Sequence, residues 1–312
     1  MNIVVTGGLG HIGSYLIRHL NQFLEVDRLI VIDNLQTQRL ASLFNLEGTP
    51  SISFLEKEAG SVLVDEIFKY GTVDCLIHLA ATTDASGTTN QRDALFENNL
   101  GTTKSIIELC ANFKIPMIFP SSTSVYGSQS ALVDETCNEL FPQSPYAESK
   151  LIEEHAIQSA CSSGLEGVIL RLGTIHGISP GMRFHTAVNR FCFQAATNVP
   201  LTVWKTAMHQ YRPYLALEDA CRAIAHVISN NLFDGEIYNV VTANHTVHEI
   251  VSTIEFVINR SCEVLYVDNQ IMNQLSYEVS SNKFQETGFI YQGSLQRDVQ
   301  NTMHLLSGII NE

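Results

Sequence analysis

Met1–Gly13 reads MNIVVTGGLGHIG. Asn2 to Thr6 is a short apolar, β-branched run, the pattern of a strand buried in a parallel sheet. Gly7, Gly10 and Gly13 follow at G-x-x-G-x-x-G spacing, and Leu16, Ile17 and Leu20 then share one helix face. A strand that turns on glycines into a helix start traps anions. Glycine permits the tight turn and close backbone approach, and the helix N-terminus adds partial positive charge. The triplet alone is a weak signal, because such spacings arise in ordinary turns. Here it follows a strand at the chain start, and an acid comes at the right distance. Arg28 to Ile32 (RLIVI) is a second buried strand, and Asp33 closes it 20 residues after Gly13. A carboxylate there hydrogen-bonds the adenosine ribose hydroxyls of NAD and repels a 2′-phosphate. The plain alternative is a helix-cap or turn acid, with Asp33-Asn34 starting a loop.

The bulk numbers bound the rest. A chain of 312 residues holds one large or two modest domains. Apolar content of 45% with 16% charged residues describes a globular chain. No apolar run is long enough to span a bilayer and no basic leader precedes the first strand, so a cytoplasmic protein is expected. A net charge of −14 argues against nucleic acid as partner, though not against a phosphorylated small ligand. Seven scattered cysteines contain no C-x-x-C, and eleven histidines show no ligand spacing, so neither a disulfide framework nor a metal site is expected.

Further along, Gln36–Leu46 has helical leucine spacing, Ser51–Leu55 is a third strand and Val62–Tyr70 a helix. Val73–Leu79 is a fourth strand that runs into Ala80-Ala81-Thr82-Thr83. Small residues there leave room for a flat ring or ribose, or simply pack tightly. Asp93–Phe113 is a long helix. Its Gly101 costs about 1 kcal/mol against alanine, so a close backbone neighbour is expected. Pro116–Pro120 is a fifth strand delivering Ser121-Ser122-Thr123-Ser124-Val125-Tyr126-Gly127. This alternation predicts an α/β fold, a Rossmann-type doubly wound parallel sheet with ligands beyond the strands' carboxyl ends.

Pro145-Tyr146-Ala147-Glu148-Ser149-Lys150 opens the next helix, and Tyr146 and Lys150 share one of its faces. A phenol titrates near pH ~10, too high for a useful base at neutral pH, and a nearby ammonium lowers that value. Tyr146 then becomes a general acid–base group, with Lys150 beside it and Ser122 hydrogen-bonding the reacting oxygen. An exposed Tyr and Lys on a solvated helix is the plain alternative. Y-x-x-x-K carries weight only because it follows a nucleotide-binding half and a serine-rich strand end.

TGGLGHIG, Asp33, HLAA, NNLGT (Asn98–Thr102), SSTSVYG, PYAESK, YRPYLALEDA and IYNVV together resemble the extended short-chain dehydrogenase/reductase superfamily. More narrowly, the chain resembles its NAD-dependent nucleotide-sugar epimerases and dehydratases, over nearly its whole length and in the family's motif order. The resemblance implies a tightly held NAD, hydride transfer at a sugar carbon, and Ser122, Tyr146 and Lys150 as catalytic residues. It sets Gly7, Gly10, His11, Ile12, Asp33, Asn34, Leu79, Ala80, Ala81, Thr83, Asn98 and Ser121, with Tyr146 and Lys150, against the dinucleotide. It implies a nucleotide-diphosphate sugar touching Thr123, Thr174 and Arg212, with Arg212 gripping the pyrophosphate; Arg183 and Asn189 read either as facing that diphosphate or as solvated helix-end residues. A homodimer through the helices at 93–113 and 146–162 follows from the same likeness, as does the division into an NAD-binding domain (1–174 with 210–242) and a smaller substrate lobe (175–209 with 243–312).

The chain also departs from the family pattern. Thr174 and His176 stand where Asn and Tyr are common, Pro213 replaces the Asp after Arg212, and Lys205–His209 replaces a glycine-containing turn. The functional expectation is an NAD-dependent epimerase working through a 4-keto sugar, with a C4 dehydrogenase or 4-ketoreductase as the alternative. Dehydration is disfavoured, because Thr123-Ser124 stands where the family's dehydratases carry Asp-Glu. A non-catalytic NAD-binding regulator is a third reading, opposed by the intact Ser122, Tyr146 and Lys150.

Overall fold

In the computed structural model, which describes residues 1–47, 50–83, 89–268 and 276–308, the opening strand β1 (Asn2–Thr6) and helix α1 (His11–His19) form as the glycine spacing predicts. The chain continues through β2 (Arg28–Asp33), β3 (Ser51–Glu56), α2 (Val64–Ile67), β4 (Cys75–His78) and α3 (Thr89–Phe113). Then come β5 (Met117–Ser122), β6 (Leu132–Val133), α4 (Pro145–Ser162), β7 (Gly167–Leu172), β8 (Thr174–His176), α5 (Ala187–Ala196) and β9 (Leu201–Trp204). The last part holds β10 (Tyr211–Ala216), α6 (Leu217–Ser229), β11 (Asp234–Val240), β12 (Ala243–Thr246), α7 (Val247–Ile258), β13 (Val264–Val267), β14 (Glu278–Val279), α8 (Asn282–Glu286) and α9 (Leu295–Leu305).

Seven strands form one parallel sheet in the order β11-β7-β5-β4-β1-β2-β3. Val4 of β1 sits opposite Ile30 on one side and Leu76 on the other, so the apolar runs are buried because both sheet faces are covered. On one face Leu16 and Ile17 of α1 meet Ala223 and Ile224 of α6, and on the other Ile106 of α3 and Ile157 of α4 close the core. The chain winds outward from β1 to β3, then returns and winds the other way from β4. The order therefore reverses between β1 and β4, and the loops after them diverge into a crevice. A three-stranded sheet (β12-β10-β8) and the β13-β9 pair pack with α5, α7 and α9 around Phe191, Ile250 and Val299. Phe284 of α8 and Phe289 just after it return to the large sheet's core.

Several local expectations differ. Of Gln36–Leu46 only Leu40–Leu43 forms a single 3₁₀ turn, because Leu35, Gln38 and Asn45 take left-handed φ of 56°, 50° and 52° that interrupt any helix. The helix expected over Val62–Tyr70 shrinks to α2 and a 3₁₀ turn that ends at Gly71. The fifth strand runs to Ser122, because Ser121 and Ser122 pair with Arg171 and Leu172 of β7. The close neighbour expected at Gly101 does not exist: a Cβ there meets nothing within 4 Å, and that residue is exposed. No described helix is long and apolar enough to cross a membrane. All seven cysteines are free, and among the described residues no group of His, Cys, Asp and Glu gathers to hold a metal ion.

Candidate active site

The crevice at the strand-order reversal is a cleft of about 670 Å³. Its floor is the glycine turn. Gly7 takes φ +65°, and a Cβ on it would lie 2.6 Å from the Ala80 nitrogen, so only glycine lets β1 and the loop after β4 touch. A Cβ on Gly13 would meet the Gly7 carbonyl oxygen at 2.7 Å. Gly10 caps α1 without a side chain, leaving the first helical N–H groups facing the cleft. Asp33 sits at the end of β2, where its carboxylate accepts the Leu9 N–H (3.1 Å) and the Leu35 N–H (3.0 Å). Those bonds fix the carboxylate at the cleft edge with acceptor capacity left over. Asn34 beside it donates to Glu58 (2.9 Å).

Leu79, Ala80 and Ala81 leave β4 along the cleft wall. The loop is clamped by Asn99, whose side chain accepts the Thr82 N–H (2.8 Å) and donates to the Thr82 carbonyl (3.0 Å). Asn98, the residue singled out in the sequence, lines the cleft and bonds the Thr82 hydroxyl (2.9 Å).

Ser122, Tyr146 and Lys150 converge on the same cleft from β5 and α4. α4 starts where it does because the Ser144 hydroxyl accepts the Ala147 N–H (3.2 Å) and Pro145 opens its first turn. The Ser122 hydroxyl accepts from the Ser124 N–H (3.2 Å) and hydroxyl (2.8 Å), which leaves its own proton free to donate into the cleft. Lys150 Nζ lies 5.9 Å from the Tyr146 ring centre and 4.4 Å over the Phe119 ring. The expectation that Lys150 softens the phenol is met only in sign. Burial outweighs the ammonium, and Tyr146 ends above its ordinary value. Ser121 turns inward to the buried Glu154, which Arg171 grips through Nε (3.0 Å) and Nη2 (2.7 Å). That pair ties β5, β7 and α4 together behind the site.

From β8 and the stretch before α5, Thr174, Arg183, His185 and Thr186 complete the lining. Arg183 bonds the Thr83 hydroxyl across the cleft mouth. Asn189, fully buried, donates to the Arg183 carbonyl (3.0 Å) rather than lining the cleft. Thr123 is buried with its hydroxyl on the Leu172 carbonyl (3.3 Å), and Arg212 of β10 stacks 5.2 Å from the Trp204 ring of β9; neither lines the cleft. His176, where the family often has Tyr, faces Asp298 at 2.8 Å in the interior.

Sequence reasoning missed three features of this wall. Arg39, Lys57 and Glu58 line it from the loops after β2 and β3, where no motif marks them. Asn99 was overlooked beside Asn98. Gly177–Gly181 docks directly on the glycine turn: the Gly181 N–H donates to Ser14 (2.9 Å), Ser179 donates to the His11 carbonyl (2.9 Å), and Arg39 donates to the Gly181 carbonyl (3.0 Å).

Two buried histidines set a pH limit. Burial pushes His11 down to about 4 and His78 to about 3. An unfolded histidine titrates near ~6.5, so below that pH the unfolded chain binds protons the folded one refuses, and stability falls. Each histidine contributes about 1.4 kcal/mol per pH unit in that window. Thermal unfolding should show a falling midpoint from pH 7 to pH 5, and a flat profile would mean that one or both rings charge inside the fold.

Glycines that leave no room for a Cβ, open helix N–H groups, an acid at the end of β2 and a phenol–lysine pair facing them define a dinucleotide-dependent redox cleft. Residues 3–240 match the profile of the "NAD dependent epimerase/dehydratase family". The chain belongs to that family, and NAD is its cofactor. It is 29% identical over 255 residues to a dTDP-D-glucose 4,6-dehydratase of Dictyostelium discoideum, covering 77% of this chain and 58% of that protein. It is 28% identical over 278 residues to the uncharacterized UDP-glucose epimerase YtcB of Bacillus subtilis, covering 86% and 85%. The fold superposes on the UDP-glucuronic acid 4-epimerase of Bacillus cereus, crystallised with UDP-glucuronic acid and NAD, at a TM-score of 0.86. The two share 23% identity, with 98% of this chain and 99% of that one covered.

Proposed function

We propose that this protein is a nucleotide-sugar 4-epimerase that works through a 4-keto intermediate. NAD supplies the hydride acceptor and then the donor. Tyr146 takes the proton of the sugar's C4 hydroxyl as the C4 hydride leaves, and returns it after the keto sugar turns over and is reduced on its other face. Ser122 donates a hydrogen bond to the C4 oxygen, and Lys150 supports the phenolate. Asp33 takes the adenosine ribose, and the α1 N-terminus with Arg39 takes the dinucleotide pyrophosphate. Arg183 serves the sugar nucleotide's diphosphate at the cleft mouth, where a guanidinium fork suits paired phosphate oxygens. Thr123, Asn189 and Arg212 lie outside the cleft lining and are given no substrate contact in this reading.

One observation carries the choice of epimerase over dehydratase. Among the described lining residues the only carboxyl groups are Asp33 and Glu58, both at the cleft end formed by the loops after β2 and β3. Neither lining carboxyl stands beside Ser122 and Tyr146 to serve as the acid and base of water elimination. The exposed Phe113 and Ile152 on the outer faces of α3 and α4 support a homodimer through those helices, and seven unpaired cysteines support a reducing, cytoplasmic setting.

The test is a panel of UDP- and dTDP-sugars incubated with the NAD-loaded protein and followed by NMR. Epimerisation gives a C4 epimer with no net NADH. Stoichiometric NADH at 340 nm would make the protein a dehydrogenase, and a 4-keto-6-deoxy product would make it a dehydratase.

A further inference from the structure

Directly behind the Tyr146–Lys150 pair lies a second carboxylate that the proposed reaction does not use. Glu153 is fully buried, one helical turn past Lys150. One oxygen accepts the Ser149 hydroxyl (2.7 Å); the other accepts the Thr103 hydroxyl of α3 (2.9 Å) and the Lys150 ammonium (3.2 Å).

These bonds fix the polarity of a longer chain. Thr103 spends its proton on Glu153, so at its 3.2 Å contact with His78 it accepts, and His78 carries its proton on Nε2. His78 Nδ1 is then the acceptor, and Thr6 donates to it (2.8 Å). Thr6 in turn accepts the Ala80 N–H (3.2 Å). One oriented run of hydrogen bonds therefore joins the loop on the cleft floor to the carboxylate that holds the lysine. All its members are satisfied, and His78 is kept neutral by burial.

We propose that Glu153 is a positioning residue: it draws the Lys150 ammonium back into the α3–α4 interface and offsets its charge at Tyr146. A lysine facing the phenol alone would stabilise the phenolate strongly, whereas one shared with a carboxylate does so less. The charged groups acting on the phenol are Lys150 and Glu153 from α4 and Arg183 from the second lobe; the first and last favour the phenolate and Glu153 opposes it. Thr103 and Ser149 bring only hydroxyls, and Phe119 only a ring face, to the same interface. The consequence is a Tyr146 that holds its proton to higher pH than its lysine alone would allow, which suits the step that returns a proton to the sugar.

The inference rests on Tyr146 as the proton-transfer group, but its test needs no turnover. The NAD complex is titrated with alkali and phenolate absorbance read near 295 nm. Subtracting the same titration of the Tyr146→Phe protein isolates one tyrosine among ten. Glu153→Gln keeps the shape and removes the charge; the Tyr146 midpoint should fall by about one pH unit, a tenfold change in ionisation. Glu153→Asp should restore it to within a few tenths of a unit. If Glu153→Gln does not fold, Glu153→Met removes the charge at similar length and should give the same fall. An unchanged midpoint in a folded uncharged variant overturns the proposal and leaves the epimerase reading standing. A shifted midpoint together with full turnover by Tyr146→Phe would instead refute Tyr146 as the acid–base group.

Discussion

Tyr146→Phe lowers turnover by a factor on the order of 10²–10⁴, the usual loss when a positioned acid–base group is removed. The substitution deletes one oxygen from a ring packed at the start of α4, so the fold should be untouched and NAD should still bind. The thermal midpoint should therefore match the parent protein within error. The loss should fall on kcat rather than KM, because the phenol's proton is exchanged only as C4 changes oxidation state. The measurement is steady-state epimerisation of whichever nucleotide sugar the panel identifies, alongside calorimetric NAD binding. Full rate in the variant would remove Tyr146 from the chemistry. Because burial holds the phenol above its ordinary value, the parent enzyme's rate should also climb with pH through the neutral range while the fold persists.

The second large effect is expected where no motif pointed. Gly181→Ala places a Cβ 2.3 Å from the Leu9 carbonyl oxygen, 2.5 Å from that of Gly10 and 2.7 Å from the Ser14 hydroxyl. Two of these three are backbone atoms of the dinucleotide turn and cannot swing aside, so the 177–181 segment must lift or the turn must bend. Overpacking of this kind costs about 1–3 kcal/mol. Expressed in binding, that is roughly a 5- to 150-fold weaker hold on NAD. The thermal midpoint should fall by several degrees as well. Calorimetric titration with NAD and an unfolding scan read both; an affinity within twofold of the parent would show that the segment's seat on the glycine turn is not coupled to the cofactor.

The two predictions mark how legible the chain was. Tyr146 and Lys150 could be paired from sequence because four residues is one helical turn, and the helix that carries them announces itself with Ser144 and Pro145. The turn at Gly7–Gly13 and the acid at Asp33 were readable for the same reason: each is local, and a strand, a tight turn and a helix start leave their periods in the residues. The parallel sheet followed from the alternation of those periods. By contrast, Lys150 bonds the buried Glu153, and that carboxylate is also held by Thr103 on another helix. Arg39 sits in an irregular stretch whose left-handed residues defeat a helical reading.

By itself, then, the sequence determined the dinucleotide fold, its cofactor and the phenol–lysine pair, all of them encoded over spans of a few residues. Only the tertiary structure decided that Gly181 seats on the first turn, that Phe284 and Phe289 return to the large core, and that a buried carboxylate holds the lysine. Those outcomes rest on contacts between residues far apart in the chain, 50 positions for Thr103 and Glu153 and 167 for Ser14 and Gly181, or on burial that no local pattern reports. The tyrosine shows the limit most plainly: spacing predicted its partner, but the balance between desolvation and charge that sets its proton exists only once the chain has folded around it.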